Sequence, residues 1–248
     1  LLKEMHRSLP LLRKALKGLV TMSQDLEAMG DRLFVGGIPA NWEDNAYPSL
    51  KPLVPWVEEL LERLAFLNDW IDNGTPACFW VPGFYFPQAF FTGVQQNYAR
   101  KYTVAIDTVS YNIRMMTENT REDLEKANKL EPPKDGCYIW GLWLEGARWN
   151  ADVHSLDDSL PKQLYTRLPM IHMDPESNRP PTKEGIYRLP VYKTLLRRGT
   201  LSTTGHSTNF VMWMEVPSSR REFQNNLNQV DDDTWIRAGV GAFCALRY

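Results

Sequence analysis

One aromatic-rich segment, residues 78–101, constrains the fold of this chain more than any other feature. Its sequence is CFWVPGFYFPQAFFTGVQQNYARK, and seven aromatic side chains fall within thirteen residues: Phe79, Trp80, Phe84, Tyr85, Phe86, Phe90 and Phe91. Because each aromatic side chain buries a large apolar area, so dense a group is typical of a hydrophobic core. An aromatic cage around a ligand is the alternative interpretation.

Proline and glycine residues divide this segment into two parts. Pro82-Gly83 predicts a turn, and Pro87 suits the first turn of a helix, where its missing N–H costs nothing. The apolar residues after Pro87 follow helical spacing, and Arg100-Lys101 is typical of a helix C-terminus. We therefore expect a hinge between a buried strand or loop and a helix, with helices before it and strands after it.

The first 29 residues carry apolar side chains at three-, four- and seven-residue intervals, which predicts amphipathic helices. Ser8 followed by Pro10 predicts a break and restart of the first helix. Ser23 or Thr21 is expected to cap a second helix that runs to Met29 or slightly beyond. Basic residues predominate on the first element and indicate either a solvated face or a docking surface: Lys3, Arg7, Arg13, Lys14 and Lys17.

The region between the second helix and the aromatic segment contains one loop and one helix. Residues 35–49 include two adjacent glycines, two prolines and Trp42, and we expect a loop anchored by a buried tryptophan. Apolar residues on one side of residues 53–72 predict a third helix. Asn73-Gly74 is the expected left-handed stop of that helix.

The second half of the chain shows strand patterns. Residues 109–115 alternate apolar and polar side chains, which predicts a half-buried strand. Pro190 implies a sheet edge or a bulge, Asp174-Pro175 is expected to stop a strand, and Gly239 and Gly241 would let the last strand bend. We predict a short helix at residues 159–168 and six strands, at residues 109–115, 138–146, 170–173, 186–195, 209–216 and 235–246.

These patterns predict an α+β fold with a helical part, residues 1–104, and an antiparallel β part, residues 105–248. Six strands with irregular spacing and long connections favour a barrel or a sandwich that need not close. No internal repeat is visible in the sequence.

The net charge, apolar runs and cysteine spacing exclude few classes of function, but they favour an intracellular protein. A net charge of −2 over 248 residues gives no electrostatic argument for binding nucleic acid or an anionic membrane. No apolar run approaches the ~20 residues of a membrane span. Cys78, Cys137 and Cys244 lie far apart without metal-ligand or disulfide spacing, which favours a reducing, intracellular environment. Because the sequence begins at Leu1-Leu2 with no initiator methionine or signal peptide, we expect a piece of a longer, non-secreted chain.

No phosphate-binding P-loop motif is present in the sequence. The nearest imitation is RRGTLSTTGHST, residues 197–208, which lacks the P-loop lysine and lies between two predicted strands, so we expect a turn. His206 within it could in principle activate Ser202 or Ser207, but nothing in the sequence marks a base and orienter around a nucleophile.

The remaining candidates for chemistry are scattered. His6, His154, His172 and His206 never fall in metal-ligand spacing. The carboxylate clusters Asp157-Asp158 and Asp231-Asp232-Asp233 could hold a cation, although solvated turns are the simpler interpretation. Trp149, Trp213 and Trp235 could line a sugar site or belong to the core. We therefore predict no catalytic, cofactor-binding or metal site in this chain.

Six blocks of the sequence resemble the C-terminal domain of dynein heavy chains: LLRKALKGLVTMSQDLEAM, YPSLKPLVPWVEELLERL, FYFPQAFFTGVQQNYARKY, YIWGLWLEGARWN, LPVYKTLLRRGTLSTTGHSTNFVMWMEVP and WIRAGVGAFCAL. The resemblance covers essentially the whole chain. The strings GVQQNYARKYTVAIDTVSYNI and GCYIWGLWLEGARW are more similar to the axonemal branch than to the cytoplasmic one. Pro10 departs from the family pattern, which puts the continuity of the first helix in question.

The resemblance implies a non-catalytic domain with regulatory and structural roles at the end of an ATP-driven microtubule motor. Its helices would lie on the ring of AAA+ modules of the same heavy chain, and its second half would be an incomplete six-stranded antiparallel β-barrel. ATP, magnesium and the microtubule would bind elsewhere in the motor, dynein intermediate and light chains would be partners in the complex, and the location would be the ciliary or flagellar axoneme within the cytoskeleton.

A second hypothesis remains from the residues themselves. It is a free-standing β-barrel that binds a ligand such as a carbohydrate, or a hydrolase, using tryptophan and aspartate side chains. AAA+ motifs upstream in the same reading frame would separate the two hypotheses.

Overall fold

A computed structural model describes residues 1–119, 121–126, 131–180, 185–199, 208–218 and 232–247. Seven α-helices occur in this part of the chain: α1 Leu2–Leu16, α2 Gln24–Phe34, α3 Ala40–Glu43, α4 Leu53–Asn73, α5 Pro87–Tyr102, α6 Arg121–Lys126 and α7 Asp232–Arg237. It also contains eleven strands: β1 Cys78–Trp80, β2 Val109–Met115, β3 Cys137–Trp140, β4 Trp143–Glu145, β5 Ala147–Asn150, β6 Ser155–Asp158, β7 Tyr165–Arg167, β8 Ile171–Ser177, β9 Ile186–Tyr192, β10 Phe210–Pro217 and β11 Gly241–Phe243.

The protein divides into two compact units. One unit, the helical unit, comprises Leu1–Glu62 together with Leu246–Tyr248, and the other, the β unit, comprises Arg63–Ala245. The aromatic segment and α5 therefore group with the strands. None of the described helices is both long and apolar enough to cross a membrane.

Helix α1 runs without interruption through Pro10, so the predicted break is wrong. A proline inside a helix removes one backbone hydrogen bond, but here the preceding turn is held by side chains. The Ser8 hydroxyl donates to the Glu4 carbonyl at 2.7 Å and accepts from the Trp42 indole N–H at 3.0 Å. Trp42 is buried on the short helix α3, which confirms the expected tryptophan anchor within the predicted loop.

The other helix boundaries agree with the capping, stop and proline residues identified in the sequence. Ser23 caps α2, because its side chain accepts from the Leu26 N–H at 3.3 Å, and that helix continues to Phe34. Gly74 after α4 has a φ of 85°, which confirms the left-handed stop. Helix α5 begins at Pro87 as predicted, and Thr103 ends it in a left-handed conformation.

The aromatic segment forms part of the core of the β unit, as expected. Phe79 and Phe91 are buried in a cluster with residues from most of the strands between β2 and β11. Phe84 stacks on Phe90 with ring centroids 4.4 Å apart, and Phe90 lies 4.8 Å from Phe79. Phe86 is the exception within the segment, since 70% of its surface is exposed.

The strands form three separate sheets. The strand orders are β1-β3-β8-β2, β10-β9-β11-β4-β7 and β5-β6. Two pairs are parallel, β1 with β3 and β9 with β11, and the others are antiparallel. The α+β class is confirmed, but the six-stranded purely antiparallel barrel is wrong in strand number and in direction, because side-chain alternation reports neither the partner of a strand nor its direction.

Several strands differ from their predicted bounds. The strand expected at 138–146 is divided into β3 and β4, which belong to different sheets, by Gly141 with a φ of 96°. Residues 159–168 contain turns and β7 in place of a helix. Residues 235–246 contain the end of α7 and the three-residue β11 in place of one strand, and the pair β5–β6 was not predicted.

Pro175 does not stop β8 because it costs no ladder hydrogen bond. It lies opposite Tyr111 of β2, whose carbonyl faces away from β8 and accepts from Arg179. The Pro175 nitrogen therefore points away from β2 and toward the side of β8 where β3 pairs. Because β3 pairs with β8 only as far as Met173, no ladder hydrogen bond is lost at Pro175. Pro190 lies in β9 between two paired strands, so the edge alternative is wrong, and the neighbouring register shift between Phe210 and Met212 supports the bulge.

We expect Gly141→Ala to destabilise the β unit by about 2–5 kcal/mol. A left-handed conformation costs a residue with a Cβ about 1–2 kcal/mol. A Cβ on Gly141 would also lie 2.7 Å from Trp80 Cδ1 and 2.8 Å from Pro82 Cδ, and such overpacking costs about 1–3 kcal/mol more. Thermal and urea unfolding followed by tryptophan fluorescence would measure the loss.

Gly74→Ala is the matched control, because Gly74 has a similar φ of 85° but no heavy atom within 4 Å of the added Cβ. It should show only the smaller backbone cost. Equal losses in the two variants would contradict the close approach of Trp80 and Pro82 to Gly141.

Candidate functional site

The three candidate histidines that the structure describes lie in different parts of the fold. His172 lies in β8 with Nε2 3.2 Å from the Asp135 carbonyl oxygen and its ring 5.1 Å from that of Tyr138. His6 and His154 lie in α1 and in the β5–β6 turn. His206, Ser202 and Ser207 lie outside the described residues. Over the described ranges, no group of three His, Cys, Asp or Glu side chains is placed to hold a metal ion.

The three cysteines are buried, and none of them forms a disulfide. Burial raises the pKa of the Cys137 thiol to about 12, so this thiol stays protonated and weakly nucleophilic at neutral pH. Cys78 and Cys137 lie on β1 and β3, and Cys244 follows β11. These side chains contribute to packing in the β unit.

The carboxylates and tryptophans singled out in the sequence have separate surroundings. Asp157 of β6 accepts from Asn150 at 3.0 Å and from Arg148 at 2.5 Å, and these hydrogen bonds lower its pKa. Asp231 is not among the described residues, and nothing is described for the side chains of the two aspartates that follow it. The three tryptophans belong to three different elements: Trp149 to β5, Trp213 to β10 and Trp235 to α7. Trp235 is buried, whereas Trp213 is 48% exposed, so the three tryptophans do not line one open sugar site together.

The helical unit carries a stripe of exposed leucines on α1, Leu2, Leu9 and Leu16, which we call the leucine stripe. These residues are 51%, 42% and 70% exposed. Residues seven apart lie on the same side of a helix after two turns, so the three leucines form one line. Further large apolar side chains are exposed elsewhere in this unit: Leu11, Leu19, Val20, Met22, Phe34, Val35, Val54 and Leu61.

The β unit contains a groove of about 1170 Å³ between α5, β2 and β10, which we call the seam groove. Strand β2 is the last strand of the four-stranded sheet, and β10 is the last strand of the five-stranded sheet. The groove therefore lies where two sheet edges face each other across α5. It lies at one of the two pairs of sheet edges that would have to join if these sheets formed a barrel.

Side chains donate hydrogen bonds to several backbone carbonyls along the seam groove. Gln88 and Gln95 of α5 donate to the carbonyls of Phe210 at 2.6 Å and of Val109 at 3.0 Å. Arg179 donates to the Tyr111 carbonyl at 2.5 Å and forms an ion pair of 2.9 Å with Glu215. These contacts satisfy acceptors that an unpaired sheet edge would otherwise expose.

Sequence reasoning missed these edge-capping residues. Gln88 and Gln95 are seven residues apart on a helix that precedes the strands, and that spacing was the available signal. Tyr111 also faces α5, where its hydroxyl donates to the Phe91 carbonyl at 2.5 Å, and burial raises its pKa so that it remains a donor.

Comparison with known proteins supports the resemblance seen in the sequence. The family model for the C-terminal domain of the dynein heavy chain matches residues 1–244. This protein is similar to dynein axonemal heavy chain 1 of Homo sapiens, with 47% identity over 248 residues, which is 100% of this sequence and 5% of that protein. It is 46% identical to dynein axonemal heavy chain 1 of Rattus norvegicus over 235 residues, 95% of this sequence and 5% of that protein.

Another relative belongs to a different heavy chain. Dynein axonemal heavy chain 3 of Homo sapiens is 45% identical over 246 residues, 99% of this sequence and 6% of that protein. The chain thus spans only a small fraction of the length of the relatives it matches. It belongs to the family of C-terminal domains of dynein heavy chains.

Proposed function

We propose that this chain is a non-catalytic regulatory and structural domain of an axonemal dynein heavy chain. In this role it packs on the AAA+ ring of an ATP-driven microtubule motor and tunes the motor's movement. The observation that carries the proposal is the leucine stripe of α1. The high identity to axonemal heavy chains over nearly the whole sequence supports the placement in that class.

The leucine stripe has the properties of a surface that another part of the motor covers. Fully burying a leucine side chain stabilises a structure by about 1.5–3 kcal/mol, so three leucines in line favour an apolar contact. A seven-residue spacing of leucines is also the repeat found where one helix packs along another in coiled coils. Because this chain spans only 5–6% of its heavy-chain relatives, the remainder of the heavy chain is the natural source of the covering surface.

The basic residues of α1 accompany this stripe. Lys3, Arg13, Lys14 and Lys17 are exposed, and Arg7 forms an exposed ion pair with Glu4 at 2.9 Å. Such charges around an apolar stripe resemble the polar rim of a protein interface. The docking alternative for these residues is therefore the one we adopt.

Regulation requires that the docking contacts differ between states of the ring. A domain that binds one ring state more tightly shifts the equilibrium toward it, and coupling of this kind is typically about 1–3 kcal/mol. ATP and magnesium binding, hydrolysis and microtubule binding then belong to other parts of the heavy chain. Intermediate and light chains complete the complex on the axoneme of cilia or flagella.

The first test replaces two leucines of the stripe in a heavy-chain motor domain that contains this sequence. We expect Leu9→Glu combined with Leu16→Glu to release α1, because two carboxylates cannot be buried against an apolar partner surface. ATP turnover should be retained, run length or stall force should change several-fold, and hydrogen exchange of α1 should accelerate.

Leu11→Glu is the matched control. Leu11 lies on the same helix and is 43% exposed, but two residues from Leu9 it points to the other side. It should leave motility and exchange near those of the parent motor. The same behaviour in both variants, or loss of turnover in a folded ring, would contradict docking through the stripe.

A second test addresses catalysis by the chain itself. The purified protein should release no phosphate from ATP in a saturable, magnesium-dependent manner, because its sequence has no P-loop and no lysine placed to meet a γ-phosphate. A malachite-green assay beside an intact motor domain would measure this. Turnover that one substitution within the chain abolishes would show a catalytic site that this proposal denies.

A further inference from the structure

The seam groove contains a stretch of free strand edge. Val109 and Tyr111 turn their carbonyls outward from β2, and by the alternation of an antiparallel ladder Ile113 does the same. Among the described residues, no side chain donates to the Ile113 carbonyl. Gln95 and Arg179 therefore close one end of the β2 edge and leave the other end open.

Among its described residues, the groove also carries more positive charge than its carboxylates match. Arg179 is neutralised by Glu215, but Arg188 and Lys193 form no ion pair with any carboxylate in the part of the protein that is described. Lys193 lines the groove but is only 7% exposed, and its ammonium donates to the Tyr85 carbonyl at 3.1 Å and lies 5.1 Å from the centre of the Phe86 ring. Arg188 is exposed, and its guanidinium lies 5.2 Å from the centre of the Trp213 ring.

Contacts connect Arg188 to Tyr111, the last capped residue of β2 before its open end. Arg188 lies opposite Glu215 in the β9–β10 ladder, and Glu215 binds Arg179, which donates to the neighbouring Tyr111 carbonyl. Trp213, 48% exposed, and Phe86 add apolar surface to the same groove. A free strand edge, two cations and exposed aromatic rings therefore lie together.

We propose that the seam groove binds an extended acidic segment of a partner protein by adding it as a strand to the open end of β2. Main-chain hydrogen bonds would give such a segment its affinity, and alternate side chains would give specificity. Carboxylates of the segment meet the exposed Arg188, the buried Lys193 adds positive potential, and apolar side chains contact Trp213 and Phe86 beside these cations. The open end of β2, residues 113–115, spans ~10 Å, so about three residues of the segment pair with it and the residues on either side extend along the groove.

Fluorescence anisotropy with a labelled peptide, Thr-Glu-Val-Glu-Val-Glu-Thr, would test the proposal on the whole protein. We expect saturable binding of this peptide. The peptide with lysine in place of glutamate should not bind, because it meets Arg188 and Lys193 with like charge. The peptide with proline in place of valine should not bind, because it lacks the central main-chain donors.

Two variants with matched surroundings localise the binding. Arg188→Glu should weaken it by about tenfold or more, corresponding to about 1.4 kcal/mol. Arg167→Glu should leave it unchanged, although Arg167 is likewise exposed and its guanidinium lies 5.1 Å from the centre of a tryptophan ring, Trp143, because Arg167 belongs to β7 at the opposite edge of the same sheet. Both arginines are exposed, and circular dichroism would verify that both variants fold.

Chemical shifts of the backbone amide of Ile113 and of the Trp213 indole N–H supply an independent readout, and both should move on titration with the glutamate peptide. Equal binding of the glutamate and lysine peptides, or equal weakening by Arg188→Glu and Arg167→Glu, would overturn the proposal. Tight binding of the proline peptide would show a purely electrostatic site and would overturn strand addition.

Discussion

The aromatic cluster around Phe90 is the interaction on which the β unit depends. Phe90 contacts Phe84 and Phe79, and Trp70 from the C-terminal part of α4 lies 5.2 Å from Phe79. The cluster thus joins a helix, the strand β1 and the helix α5 in one apolar group. Because β1 pairs with β3 and α5 reaches both sheet edges, the position of these rings fixes where the two larger sheets begin and end.

The open seam is a consequence of how those sheets end. Strands β2 and β10 face each other across α5 without forming a ladder in the described residues, and an unpaired edge exposes acceptors that favour unwanted strand pairing. Gln88, Gln95 and Arg179 bind three of these carbonyls. A hydrogen bond contributes about 0.5–1.5 kcal/mol net when it is neutral and about 1.5–3 kcal/mol when a charged group such as Arg179 takes part. These side chains protect the edge, but they do not replace the ladder that would close the two sheets here.

Local signals in the sequence predicted local structure well. The Ser23 cap, the Gly74 stop, the start of α5 at Pro87 and the strand β2 each depend on residues adjacent in sequence. What failed depended on distant residues. Pro10 stays helical because the turn before it is held by Ser8, which Trp42 contacts, and the 138–146 strand is divided because Gly141 lies against Trp80.

The two candidate surfaces were hard to predict from the sequence because they also depend on contacts between residues that are distant in sequence. The spacing of Leu2, Leu9 and Leu16 is that of the buried side of an amphipathic helix, but Leu12 and Ala15 face the core and leave these leucines outside. A short apolar run such as residues 235–246 is ambiguous between helix and strand, and here it contains part of each. Strand pairing decides which edge is open, and no residue pattern within a strand records it.

The two proposed surfaces differ in their physics, and this difference determines how each would respond to its surroundings. The leucine stripe binds through apolar area, which salt at physiological strength hardly weakens. The seam groove attracts its segment through Arg188 and Lys193, and an exposed cation such as Arg188 is screened over a Debye length of about 8 Å at 0.15 M salt. An apolar contact of several side chains suits permanent attachment to the rest of a heavy chain, whereas a short strand held by two cations suits a reversible partner. The stripe and the groove belong to different compact units, so a change in the occupancy of one need not remove the contacts of the other.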